Sequence, residues 1–229
     1  MSSTKNPGRF AGVLYLLLSI PAVFALLYVP NKLIVSGNAT ATANSIAASE
    51  SLFRLGIVSG LVTSVIFIFV ALALYRLLKA VNQNLAVLMV VLVLISVPIA
   101  FLNELNNIAA LTLLSGAGYL SVFRTDQLQA LALLFLGLNS YGNIIAQIFW
   151  GLWLFPFGLL VFRSRFIPRI LGVWLIINCF AYLAISFTAL LLPDYRELVF
   201  RAAMPALLGE LAIMLWLLIV GAKQQPLNV

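Results

Sequence analysis

Six apolar stretches, each long enough to cross a bilayer core of about 30 Å at 1.5 Å per residue, recur along this chain and constrain its fold more than anything else in it. They lie near 10–29, 53–78, 85–115, 139–162, 168–192 and 199–221. With 229 residues, 64% hydrophobic, 8% charged and a mean hydropathy of +1.14, the chain carries far less charge than a soluble domain needs. The fold class is therefore all-α: a polytopic membrane protein, one six-helix bundle over 1–229, with extra interfacial helices on its outer side.

Charge placement gives the bundle a direction. Lys5, Arg9, Arg76, Lys79, Arg163, Arg165, Arg169 and Lys223 fall on the side of the termini; Lys32, Arg54, Arg124, Arg196 and Arg201 fall on the other. Eight against five favours cytoplasmic termini by the positive-inside rule, which counts only Lys and Arg. The basic excess of 13 over 6 flanks membrane spans, so its counterpart is membrane lipid, including anionic headgroups on the inner face, rather than nucleic acid. Lys5 and Arg9 before an apolar run resemble a signal peptide, but Ala22-Val23-Phe24 is a poor cleavage site and the run continues to Val29. It reads as a retained first helix.

Two connections are expected to carry structure of their own. Residues 127–162 would make a single helix about 54 Å long, more than a membrane accommodates. Asp126 with Gln129 is expected to open an interfacial or re-entrant helix in a capping-box-like way, with a break at Ser140-Tyr141-Gly142 before span four. Residues 41–50 read as a helical approach to span two. Asn38-Ala39-Thr40 fits a glycosylation sequon, a pattern common by chance.

Residue types narrow the chemistry. One cysteine, Cys179, permits neither an intrachain disulfide nor a Cys-x-x-Cys site. The absence of histidine removes the commonest metal ligand and general base, and no metal site is expected. Against this background Glu104 and Glu210 stand out, each inside an apolar run where a carboxyl costs a few kcal/mol or more unless paired, protonated or facing a cavity. Glu104 is expected in the outer half of the membrane and Glu210 near its midplane.

Polar rows at helical spacing accompany them: Asn103 and Asn107 beside Glu104, Asn143 with Gln147, Asn178 with Tyr182 and Ser186, and Ser59 with Thr63 and Ser64. Asn143, Gln147, Ser59 and Thr63 read first as hydrogen-bonding glue between helices, worth about 0.6 kcal/mol each on average. Arg54 and Arg201 read as i,i+4 ion-pair partners of Glu50 and Glu197. Gly137, Gly142, Gly151 and Gly158 would allow close helix contact. Pro98 before Glu104 and Pro205 before Glu210 hint at an inverted repeat, but the spacings from Gly56 to Glu104 and from Gly172 to Glu210 are 48 and 38 residues, which favours coincidence.

Several runs in order resemble a bacterial integral-membrane family catalogued as domain of unknown function 4386. They are Ala48 through Gly56, Leu128 through Leu133, Ser140-Tyr141-Gly142, Val161 through Ser164, Pro168 through Gly172, Leu192 through Tyr195, and Pro205 through Glu210. The resemblance spans most of Gly8 to Gly221 and implies a compact six-helix protein of a bacterial inner membrane, with no assigned activity. It also implies a histidine before Ser-Tyr-Gly in many relatives; Asn139 stands there, so a role needing imidazole does not carry over.

Three functional readings follow. The first is binding or transport of a small or amphiphilic ligand in an outward-facing polar cavity, with Glu104, Glu210, Asn103, Asn107, Asn143, Gln147, Asn178, Tyr141 and Arg54 as candidates. The second is a structural or accessory subunit, as an oligomer or in a larger complex. The third, an intramembrane acid–base enzyme, is disfavoured by the missing nucleophile motifs. The residues identify neither substrate nor cofactor.

Overall fold

The computed structural model describes residues 6–222, and the expectations resting on Lys5 and Lys223 lie outside them. The described residues form helices throughout: α1 (Pro7–Val23), α2 (Val29–Leu33), α3 (Ala39–Ala48), α4 (Glu50–Leu78), α5 (Gln83–Leu114), α6 (Thr125–Leu152), α7 (Leu154–Ser164), α8 (Arg169–Leu191) and α9 (Arg196–Ile219). Among them, six stretches are long and apolar enough to cross a membrane: Pro7–Leu33, Glu50–Leu78, Gln83–Leu114, Thr125–Ser164, Arg169–Leu191 and Pro193–Ile219. Large apolar side chains such as Ile20, Phe69, Leu102, Phe180 and Leu191 stand exposed on these helices, as a lipid-facing surface requires.

Prolines set the irregularities. Between α1 and α2 the chain passes through a π turn, Phe24–Tyr28, where the Val29 N–H reaches back five residues to the Phe24 carbonyl. Pro30 follows, and a proline removes the bond to the carbonyl four residues earlier and clashes with it. Widening the preceding turn relieves both effects.

The expected break at Ser140-Tyr141-Gly142 is not there. Helix α6 runs through it without interruption, and the chain stays right-handed helical through Trp153 into α7, with the Trp153 N–H bonded to the Phe149 carbonyl at 3.1 Å and the Phe157 N–H to the Trp153 carbonyl at 3.3 Å. Glycine inside a helix costs only about 1 kcal/mol, too little to end it. Pro156, by contrast, has no N–H for the Leu152 carbonyl, so one helical bond is lost there while the helix carries on into α7. The start of α6 also differs from a box of Asp126 with Gln129. Gln127 Oε1 accepts the Arg124 N–H at 2.9 Å, Asp126 pairs with the Arg124 guanidinium at 2.7 Å, and Gln129 Oε1 accepts from the Thr40 hydroxyl. The capping role falls to the glutamine three residues after the N-cap, which is Gln127 once the helix starts at Thr125. The helical approach to span two is present as α3, with the Asn38 side chain accepting the Ala41 N–H at 2.9 Å.

The chain divides into two compact units, with the division falling inside α1, α4, α5 and α6. One comprises 1–18, 66–97 and 144–229, the other 19–65 and 98–143. The first has a core of Tyr15, Leu74, Met89, Trp153, Phe157 and Leu217, with Trp153 stacked on Phe157 at 5.3 Å between ring centroids. Here α7 and α8 approach closely: a Cβ on Gly158 would lie 2.7 Å from the Gly172 carbonyl oxygen, and one on Gly172 would lie 2.6 Å from that of Gly158. The second unit has its own core of Val29, Leu33, Ile46, Phe53, Leu111 and Leu136.

Candidate functional site

In the unit formed by 19–65 and 98–143, four asparagines tie α5 to α6. Asn103 Nδ2 donates to the Asn139 carbonyl at 2.9 Å and to Asn143 Oδ1 at 3.0 Å, while its Oδ1 accepts from Asn106 Nδ2. Asn139 Nδ2 returns a bond to the Asn103 carbonyl, and Asn143 Nδ2 donates to Asn139 Oδ1 at 3.3 Å. Gly142 makes this approach feasible, because any Cβ there would strike the Asn103 amide. Asn103 is buried and both polar atoms of its amide are bonded, so the network binds helix to helix and leaves little capacity for a ligand.

Glu104, the next residue on α5, is differently placed. Its Oε2 accepts from Asn107 Nδ2 at 2.8 Å. Its Oε1 accepts no bond among the described residues and lies over Gly60 of α4, where a Cβ would stand 2.5 Å away. Glu104, Asn107, Asn139 and Asn143 form the polar part of a cavity of about 60 Å³. Its apolar part comes from the π turn and its surroundings, Ala25, Leu26, Val29 and Pro30, and from Phe53 and Ile57 of α4. A water molecule occupies roughly 10–15 Å³ on this measure, so the space suits about four to six waters or one small polar group. Its polar end offers free acceptor capacity, which selects for a species that donates hydrogen bonds or carries positive charge.

In the other unit, Glu210 of α9 accepts from two phenols. Tyr15 of α1 donates to Oε1 at 2.5 Å and Tyr182 of α8 donates to Oε2 at 2.9 Å. Three helices thus converge on one carboxyl, each of whose oxygens has an internal donor. Tyr15 itself is buried. Asn178, one turn before Tyr182 on α8, is fully buried with neither amide atom hydrogen-bonded.

The remaining sequence candidates separate. Asn143 belongs to the asparagine network, whereas Gln147 lies in the other unit and accepts a long 3.5 Å bond from Ser186. Arg54 is exposed and paired with Glu50 at 2.7 Å, and Arg201 with Glu197 at 2.8 Å, the local ion pairs their spacing implied. Tyr141 is exposed. The Thr63 and Ser64 hydroxyls bond to carbonyls of their own helix, those of Ser59 and Gly60, so Thr63 does not act as the expected interhelical glue. Gly151 and Gly158 make close contacts; a Cβ on Gly137 would meet nothing within 4 Å.

Sequence reasoning missed Tyr15 as the partner of Glu210, and Asn106 and Asn139 as members of the network. A usable signal existed for Tyr15: a carboxyl buried in an apolar run needs donors, and a tyrosine within an apolar span is a natural one to test. No local pattern announced that the π turn would wall a cavity.

Six apolar helices, an apolar exterior and polar side chains gathered between helices define a helical membrane protein. Within that class the chain belongs to the family described as domain of unknown function DUF4386, whose model matches residues 10–221. No curated protein and no solved structure matches it.

Proposed function

We propose that the protein binds a small, hydrogen-bond-donating or cationic group in the Glu104 cavity, as the head of a small or amphiphilic ligand. The observation carrying this reading is the unbonded Glu104 Oε1 at the polar end of a cavity with apolar walls. Glu210 has an internal donor on each carboxyl oxygen, whereas Glu104 has one on Oε2 alone, so the desolvation cost of Glu104 is offset less within the protein. A π turn in the wall is consistent with a site, since such turns are frequent at functional positions. The volume bounds the bound moiety to about the size of an alkylammonium head or a few waters.

The second reading, a structural or accessory membrane subunit, draws on the closed asparagine network and on the internal donors to both oxygens of Glu210. In our assignment Glu210 holds helices and Glu104 meets the ligand. The chain forms one integral domain of a bacterial inner membrane with cytoplasmic termini, an orientation supported by the Lys and Arg count. Single cysteines introduced at Asn84 and Gly37 test that orientation: membrane-impermeant thiol reagents applied to intact cells should label position 37 and spare position 84, and the reverse pattern refutes it.

The binding reading is tested by the thermal stability of purified protein titrated with methylammonium, tetramethylammonium and sodium. Methylammonium should stabilise the wild type and leave Glu104→Gln unaffected, while the bulkier tetramethylammonium, which donates no hydrogen bond, has no effect on either. Equal responses of wild type and Glu104→Gln remove Glu104 from the site.

A further inference from the structure

The turn joining α7 to α8 carries three arginines in seven residues, Arg163, Arg165 and Arg169. None has an acidic partner among the described residues, whose ion pairs all involve Arg54, Arg124 or Arg201. Uncompensated cationic charge in one short turn raises the local potential and calls for an external anion.

The backbone gives a second, independent indication. Arg165 closes α7 in the left-handed region at φ 61°, the one non-glycine residue with positive φ among those described. Glycine is the ordinary occupant of such a cap, and a residue bearing a Cβ there costs roughly 1–2 kcal/mol. The turn thus keeps a strained position occupied by a long cationic side chain. Arg169, the first residue of α8, is steadied over the Phe162 ring at 5.6 Å.

These side chains flank a shallow groove of about 540 Å³, lined by Arg165, Phe166, Ile167, Pro168, Arg169 and Trp216. Its size falls in the range of small-molecule sites, about 300–1,000 Å³, and far exceeds what a lone inorganic anion fills. Guanidinium groups match phosphate oxygens, and the first turn of α8 adds backbone N–H groups and the positive end of a helix dipole. Phe166 and Trp216 supply a partly exposed apolar surface beside them.

We infer that this groove is a binding site for an anionic phospholipid, with Arg165 and Arg169 on the headgroup phosphate and Trp216 with Phe166 against the glycerol and upper acyl chain. The net negative charge of the lipid distinguishes the occupant from a zwitterionic one, because a choline or ethanolamine group would bring its own cation to the arginines. The site is separate from the Glu104 cavity and does not depend on it.

The test uses full-length protein in zwitterionic detergent, titrated with phosphatidylglycerol or phosphatidylcholine and read by native mass spectrometry. Parallel titrations with lipids brominated near the carbonyl report quenching of Trp216, isolated by subtracting Trp216→Phe. Arg165→Gly retains the left-handed turn without the charge, and Arg169→Gln retains length and hydrogen bonding. Wild type should bind phosphatidylglycerol in preference, each variant should weaken it about fivefold, and phosphatidylcholine binding should stay unchanged, which also reports that the variants are folded. Equal binding of the two lipids, wild-type selectivity in either variant, or no Trp216 quenching overturns the site. Displacement of the lipid by inorganic phosphate at equal concentration also overturns it, by making this a free-anion site.

Discussion

Removing the Tyr15 hydroxyl should cost more than removing that of Tyr182, and the difference is set by burial. Both phenols donate to Glu210 from within membrane spans, but Tyr15 is 4% exposed whereas the Tyr182 ring is only partly enclosed by protein, so the surroundings of Tyr182 can relax around a missing hydroxyl more readily than those of Tyr15. A hydrogen bond to a charged or strongly polar acceptor contributes about 1.5–3 kcal/mol, while an ordinary bond between membrane helices averages about 0.6 kcal/mol. Tyr15→Phe should therefore destabilise by about 1.5–3 kcal/mol and Tyr182→Phe by about 1 kcal/mol. The assay is reversible unfolding in mixed micelles, run as a double-mutant cycle of Tyr15→Phe with Glu210→Leu. A coupling energy of at least about 1 kcal/mol is expected, well beyond the roughly 0.3–0.5 kcal/mol scatter of independent sites. Additive effects within that scatter would refute the view that Glu210 joins α1, α8 and α9.

Three further outcomes follow from the same geometry. Gly158→Ala places a Cβ 2.7 Å from a backbone oxygen of α8 and should destabilise by about 1–3 kcal/mol, whereas Gly137→Ala meets nothing and should be neutral or slightly stabilising; thermal unfolding of the pair checks both signs. Asn103→Leu strands Asn143 Oδ1 and Asn106 Nδ2 and removes the additional bond to the Asn139 carbonyl, and should cost roughly 2–4 kcal/mol in the same micelle titration. Arg54→Ala and Arg201→Ala break exposed ion pairs and should each change stability by less than about 1 kcal/mol, with no effect on ligand response.

Helix number and class were legible because burial in lipid demands long apolar runs, a signal averaged over some 20 residues each. The ion pairs of Arg54 and Arg201 were legible because i,i+4 spacing makes them local. The fourth span was misread as broken because Ser140 and Gly142 were given more weight than a cost of about 1 kcal/mol carries inside a long helix. Glu104 and Glu210 were recognisable as anomalies, but their partners sit on other helices. Tyr15 is 195 residues from Glu210, and no spacing rule connects them. Asn139 reaches Asn103 only because Gly142 lets the helices touch, a consequence of packing.

The central claim is that Glu104 Oε1 is the acceptor for a small donor in the cavity beside the π turn. Its most direct measurement is a high-resolution structure of the wild type and of Glu104→Gln, each with methylammonium. The account expects a bound species within hydrogen-bond distance of Glu104 Oε1 in the wild type, absent from the variant, with the asparagine network unchanged in both. A cavity filled only by water in both proteins, or the ammonium bound identically in the variant, would contradict it.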